Sequence, residues 1–131
     1  MAMDDRALTI HCEGPSTATL LKTHDAALDR SMVRIHVASL DALAERGSSY
    51  HALLDQGEAD RLARFRFEED RQRFLLGHGL LREILGQALR TDPAAIVFQR
   101  GRFGKPFVAN SPVRFNLSDT KDAVAVAITL D

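Results

Sequence analysis

Residues 68–90 read EEDRQRFLLGHGLLREILGQALR, and this stretch decides the fold. Its apolar residues Phe74, Leu75, Leu80, Leu81, Ile84, Leu85, Ala88 and Leu89 recur at i, i+3/4 and i+7, which puts them in one stripe of an α-helix. Glu68, Glu69 and Asp70 fall in the first turn and Arg90 in the last, where each charge meets the opposite end of the helix dipole. Gly77, Gly79 and Gly86 interrupt the run, and each costs the helix roughly 1 kcal/mol against alanine. Close packing against another backbone is the compensation expected there.

After this helix the period changes. Asp92-Pro93 opens a further turn of helix, since proline is tolerated at the first position. Ile96-Val97-Phe98, Phe107-Val108 and residues 113–117 read as short strands, and residues 123–130 as a longer alternating one. Before it, residues 58–65 are helical, following a turn at Asp55-Gln56-Gly57. Ser39 caps a short helix through Ala44 that Gly47-Ser48-Ser49 should break. Residues 32–37 alternate and are rich in β-branched side chains, as a half-buried strand does. Further out, Ala7 to His11 reads as a strand and Gly14-Pro15-Ser16 as a turn, and Leu20, Leu21, Ala27 and Leu28 could line a short helix. Helices early and strands late predict an α+β domain, one long helix packed on a mostly antiparallel sheet. The pattern separates an N-terminal extension, residues 1–31, from a single lobe, residues 32–131.

Composition narrows the function classes. The net charge of −1 argues against a general nucleic-acid binder, because affinity for the phosphate backbone scales with the cations presented. Cys12 is the only cysteine, so no internal disulfide forms and a reducing compartment is expected. The opening MAMDD is acidic and leads into no apolar run, so neither a signal peptide nor a membrane span is expected. The expectation is a soluble cytoplasmic protein. The five histidines show no metal-ligand spacing, and neither a Rossmann nor a Walker glycine fingerprint is present.

Three segments carry chemistry. Arg61-Leu62-Ala63-Arg64-Phe65-Arg66 leads into Phe67-Glu68-Glu69-Asp70-Arg71-Gln72-Arg73, concentrating arginines near a helix N-terminus, and both features can hold phosphate. Alone, the run reads rather as a solvated, salt-bridged face. Phe103-Gly104-Lys105-Pro106 joins a glycine that admits a ligand to the backbone, a point charge and a stiffening proline. Alone, it reads as a surface turn. In Phe115-Asn116-Leu117-Ser118-Asp119-Thr120 an apolar strand ends in side chains that bond backbone or ligand oxygens.

In this order and spacing, the three segments resemble the surfactin-type, two-lobed 4′-phosphopantetheinyl transferases. The family's Arg-Phe-x-x-x-x-Asp-x-x-Arg stretch is matched by Arg64-Phe65, Asp70 and Arg73. Its Gly-Lys-Pro is matched by Gly104-Lys105-Pro106, and its Phe-Asn-(Leu/Ile)-Ser-His-(Ser/Thr) strand by residues 115–120 except at one position. The resemblance covers residues 33–130. It implies the N-terminal lobe of an enzyme that moves the phosphopantetheine arm of coenzyme A to a serine of an apo acyl or peptidyl carrier protein. It places Arg61 at the 3′-phosphate, Phe103, Gly104, Lys105 and Pro106 against the nucleotide, and Ser118 at coenzyme A. Arg64, Arg73 and Asp119 complete the implied coenzyme site.

Two residues depart from the family pattern. Asp119 stands where the family has histidine, and an ionised carboxylate repels phosphate unless a metal lies between them. Glu58 stands at a position that is often basic. The family's magnesium carboxylates and catalytic lysine would follow Asp131, so no catalytic residue or metal ligand is expected within the chain. The implied function is therefore a coenzyme-A-binding lobe that becomes a transferase only if a second lobe supplies those carboxylates. A second lobe would need an apolar face, so a partner lobe or a homodimer is expected. The alternative is a degenerate, non-enzymatic lobe that binds a carrier protein or itself.

Overall fold

A computed structural model describes the backbone of residues 7–12, together with residues 28–30 and 32–130. Strand β1 (Ala7–Cys12) runs parallel to β2 (Met32–Ser39). Short helix α1 (Leu40–Leu43) and a 3₁₀ turn (Ala44–Arg46) lead into helices α2 (Gly47–Leu53), α3 (Gln56–Arg64) and α4 (Glu68–Leu89). A second 3₁₀ turn (Pro93–Ala95), the hairpin β3 (Phe98–Arg100) and β4 (Pro106–Val108), then β5 (Val113–Asp119) and β6 (Ala123–Leu130) complete the described chain. The main sheet has the order β1-β2-β6-β5, and its β2–β6 and β6–β5 pairings are antiparallel. This is the α+β architecture that the change of period predicts. The expected turn at residues 14–16, and the expected helix face apart from Leu28, lie outside the described residues.

The long helix begins at Glu68 as expected and ends one residue early. Arg90 takes a left-handed conformation (φ 52°), and the Thr91 N–H bonds the Gly86 carbonyl at 2.9 Å. More of α4 is buried than one stripe, for Leu76, Gly77, Gly79 and Arg82 are buried beside the expected residues. The cause is its place between two layers. A Cβ on Gly77 would meet Val124 of β6 and Leu117 of β5, whereas one on Gly79 would meet the Tyr50 side chain of α2. Val124, Val126 and Ile128 meet the helix from the sheet side and are essentially inaccessible. Tyr50 is buried so deeply, with Glu83 beside it, that its phenol is pushed far above its ordinary pKa range.

Two local expectations need correction. Gly47-Ser48-Ser49 does not break the helical run but opens α2, because burying Tyr50 against Gly79 outweighs the weak helix propensity of that tripeptide. Ile96 and Val97 precede the strand rather than begin it. The Asp92 carboxylate accepts the Ala94 N–H at 3.0 Å and starts the 3₁₀ turn, and Val97 offers its carbonyl to Ala109. On the sheet face away from α4, the register aligns Val33, Ile35 and Val37 of β2 with Thr129, Ala127 and Ala125 of β6.

Candidate functional site

Asp55 caps α3 by accepting the Glu58 N–H at 2.8 Å, while Glu58 Oε1 accepts the Asp55 N–H at 3.0 Å. This capping box fixes the start of α3 and turns Arg61 the same way as Glu58, one position short of a full turn later. Opposite, the β3–β4 hairpin closes through a Gly101 N–H to Lys105 carbonyl bond of 2.9 Å and a Gly104 N–H to Gly101 carbonyl bond of 3.0 Å. Gly104 has φ +80°, the left-handed region that an L side chain enters only with strain. Arg100 Nη1 donates to the Gly104 carbonyl at 2.7 Å and steadies the loop that presents Lys105.

Between these elements lies a cavity of about 520 Å³. Asp55, Gly57, Glu58 and Arg61 line it from α3, and His78 and Leu81 from α4. Phe98, Arg100, Lys105 and Pro106 line it from the hairpin, and Phe115, Asn116 and Leu117 from β5. Its floor is apolar, with Phe98 and Phe115 meeting edge to face at 5.5 Å between centroids. Its rim carries three cations. Arg61 lies over the Phe74 ring at 5.0 Å, which orients the guanidinium without using its donors.

His78 stacks on Phe74 at 3.9 Å, and its Nδ1 bonds the Phe74 carbonyl at 3.0 Å. A carbonyl only accepts, so Nδ1 carries the proton and Nε2 is an acceptor in the neutral ring. Burial lowers its pKa, the Phe74 carbonyl and the carboxylates of Glu58 and Asp119 oppose that, and Arg61 adds to it.

The acids on the wall are not left bare. Arg82 is fully buried beneath them, with Nη2 2.6 Å from Glu58 Oε1 and 3.1 Å from Asp55 Oδ2. An unpaired carboxylate would repel an anionic ligand, whereas these share a cation directly behind them. Glu58 at a family-basic position is therefore half of a buried ion pair.

Of the sequence-predicted residues, Arg61, Lys105 and Pro106 come together around the cavity. Gly104 shapes the loop, and Phe103 projects from it, 91% exposed with the Arg102 guanidinium 5.6 Å from its ring. Ser118 is exposed on β5, on the same strand face as Asn116 and one step past the lining residues. Arg64 is exposed at the end of α3. Arg73 is bonded to Asp70 and lies 3.8 Å from Asp119, so these two predicted residues face each other outside the cavity. Sequence reasoning gave no site role to His78, Phe98, Arg100 or Arg82, and it held Asn116 only as part of the strand motif at residues 115–120. Arg82 did leave a signal, as a charge inside the apolar run Leu80-Leu81-Arg82-Glu83-Ile84-Leu85. The capping box left a signal too, Asp-x-x-Glu at residues 55–58, but the turn expected at residues 55–57 is in fact this cap and the first residues of α3, which starts at Gln56 rather than Glu58.

Residues 44–130 match the family described as 4′-phosphopantetheinyl transferase, N-terminal. The chain belongs to this family. Among curated phosphopantetheinyl transferases, one from a Thraustochytrium species is 46% identical over 76 residues, which cover 56% of this chain and 26% of that protein. HetI of a Nostoc species is 38% identical over 81 residues, covering 59% of this chain and 34% of that protein. A Bacillus subtilis 4′-phosphopantetheinyl transferase is 31% identical over 78 residues, covering 59% and 35%. The match thus spans about a third or less of each relative. In fold, the chain is similar to a holo-(acyl-carrier-protein) synthase from Bacillus anthracis solved in complex with CoA (3′,5′-ADP). The TM-score is 0.58 at 17% identity, covering 75% of this chain and 93% of that one. No helix among the described residues is long and apolar enough to cross a membrane.

Proposed function

We propose that this chain is the coenzyme-A-binding lobe of a surfactin-type, two-lobed 4′-phosphopantetheinyl transferase that modifies a serine of an apo acyl or peptidyl carrier protein. The observation that carries the reading is the cavity between α3 and the hairpin. Its apolar floor suits a base, and Arg61, Arg100 and Lys105 on its rim suit phosphates. The family membership and the coenzyme held by the structural neighbour point the same way.

Magnesium, which the family implies, does not fit the residues present. Among the described residues no group of three His, Cys, Asp or Glu side chains stands close enough to hold a metal. The carboxylates for the metal would come from a second lobe, supplied by further chain, another polypeptide or a second copy. The largely apolar, part-exposed face of the β2–β6 pair that carries Val33, Ile35, Val37, Ala125 and Ala127 is the surface such a lobe would cover. One observation favours the alternative, a degenerate lobe that binds a carrier protein or itself. Asp119, in place of the family histidine, is turned to Arg73 rather than the cavity.

Calorimetric titration of coenzyme A into the chain tests the reading. Each charge-assisted contact contributes about 1.5–3 kcal/mol, so Arg61→Ala and Lys105→Ala should each weaken binding by roughly 10- to 100-fold. Binding that both variants leave intact would remove the cavity from the account.

A further inference from the structure

Arg82 is the one fully buried cation among the described residues, and neither chemistry nor family motif singled it out. Its guanidinium joins three segments that are apart in sequence. Towards α3, Nε donates to Glu58 Oε1 at 2.7 Å and Nη2 donates to Asp55 Oδ2 at 3.1 Å. Towards the hairpin, Nη1 donates to the carbonyls of Pro93 and Ile96 at 2.9 and 3.0 Å. Its central carbon, Cζ, lies over the ring of Phe98, the first residue of β3, 5.0 Å from the centroid.

Both walls of the cavity therefore close on one side chain. Asp55 and Glu58 belong to the wall that carries Arg61, and Phe98 to the wall that carries Arg100 and Lys105. From the geometry we infer that Arg82 is a positioning residue, a buried cross-link that holds Arg61 and Lys105 at the separation an anionic ligand needs. The inference rests on the nucleotide reading of the cavity. It makes Glu58 an aid to anion binding although its charge is negative, because Glu58 is the handle by which Arg82 grips α3. Lysine cannot replace this arrangement, for it lacks the planar fork that serves two carboxylates and two carbonyls together.

Two variants test this, Arg82→Lys and Glu58→Gln, by calorimetry with coenzyme A and by hydrogen exchange of the ligand-free chain. Arg82→Lys keeps the charge and loses the fork. Glu58→Gln removes an acid from the cavity wall, and if only charge mattered it would strengthen anion binding. Positioning predicts weaker binding in both, by about tenfold, the size of one charge-assisted contact. It also predicts that amides of residues 93–108 exchange faster than in the parent, ahead of those in β6. Tighter binding by Glu58→Gln, or unchanged exchange at residues 93–108 in both variants, would overturn the inference. Should the parent chain fail to bind, the nucleotide reading falls, while the exchange data still decide whether Arg82 holds the hairpin to α3. If Arg82→Lys fails to fold, Glu58→Gln alone decides, since it is close to isosteric and keeps an amide oxygen for the capping box.

Discussion

Gly77 and Gly79 sit two residues apart in the same helix, yet alanine should act on them with opposite sign. A Cβ on Gly79 would lie 2.2 Å from Cγ and 2.3 Å from Cβ of Tyr50. Those atoms cannot swing aside, because the Tyr50 Cβ is fixed to the backbone of α2 and carbon atoms need about 3.5–4.0 Å. Helix α2 would have to lift by more than 1 Å from α4, loosening a tyrosine that is 1% exposed. Overpacking of this kind costs typically 1–3 kcal/mol and occasionally more. The gain in helix propensity returns about 1 kcal/mol. Approaches as short as 2.2 Å put the overpacking cost at the top of its range, about 3 kcal/mol, so Gly79→Ala should destabilise the domain by about 2 kcal/mol, a melting shift of roughly 6–10 °C for a chain of this size. At Gly77 the nearest atoms to an added Cβ are those of Val124 and Leu117 at 3.7 and 3.8 Å, ordinary contact, so only the propensity term remains. Gly77→Ala should stabilise by about 0.5–1 kcal/mol. Urea unfolding of the three proteins, at equal m-values, reads both differences. A Gly79→Ala protein as stable as the parent would refute the layered packing of α2 on α4.

Further predictions concern the site. The folded pKa of His78 lies below its ordinary 6.5, so the unfolded chain takes up the proton first. The stabilisation this gives is complete above about pH 6.5 and is lost as pH falls below it, down to the folded pKa. His78→Gln should flatten the stability profile below pH 6.5, and an unchanged slope would show that His78 is not buried as described. Gly104→Ala has space around it but forces an L residue to φ +80°, so it should lower stability by about 1–2 kcal/mol. Asparagine there should cost less, and equal melting temperatures for both variants would contradict the left-handed turn.

The long helix and the closing strand were legible because each is strongly periodic. Both β6 bounds and the start of α4 follow from the pattern alone. Helix α2 was not, because what holds it is a Tyr50–Gly79 contact across 29 residues of chain, invisible to local propensity. The site divides the same way. Arg61 and Lys105 could be chosen because they are cations in recognisable motifs, and the fold does bring them to one cavity. Arg73 and Asp119 could be chosen on the same grounds, but helix and strand place them opposite one another, where they pair. Arg82 left a signal in the apolar run around it, but its four partners lie 11 to 27 residues away along the chain, so the run alone does not say what the guanidinium meets.

The central claim is that the cavity recognises the nucleotide end of coenzyme A. Titrating coenzyme A beside 3′-dephospho-coenzyme A into the purified chain tests it most directly. The account predicts saturable binding of coenzyme A, and binding of the dephospho form weaker by about tenfold or more, since a contact to one phosphate is lost. No binding of either, or equal binding of both, would contradict it. The first outcome would leave a lobe whose partners are proteins alone.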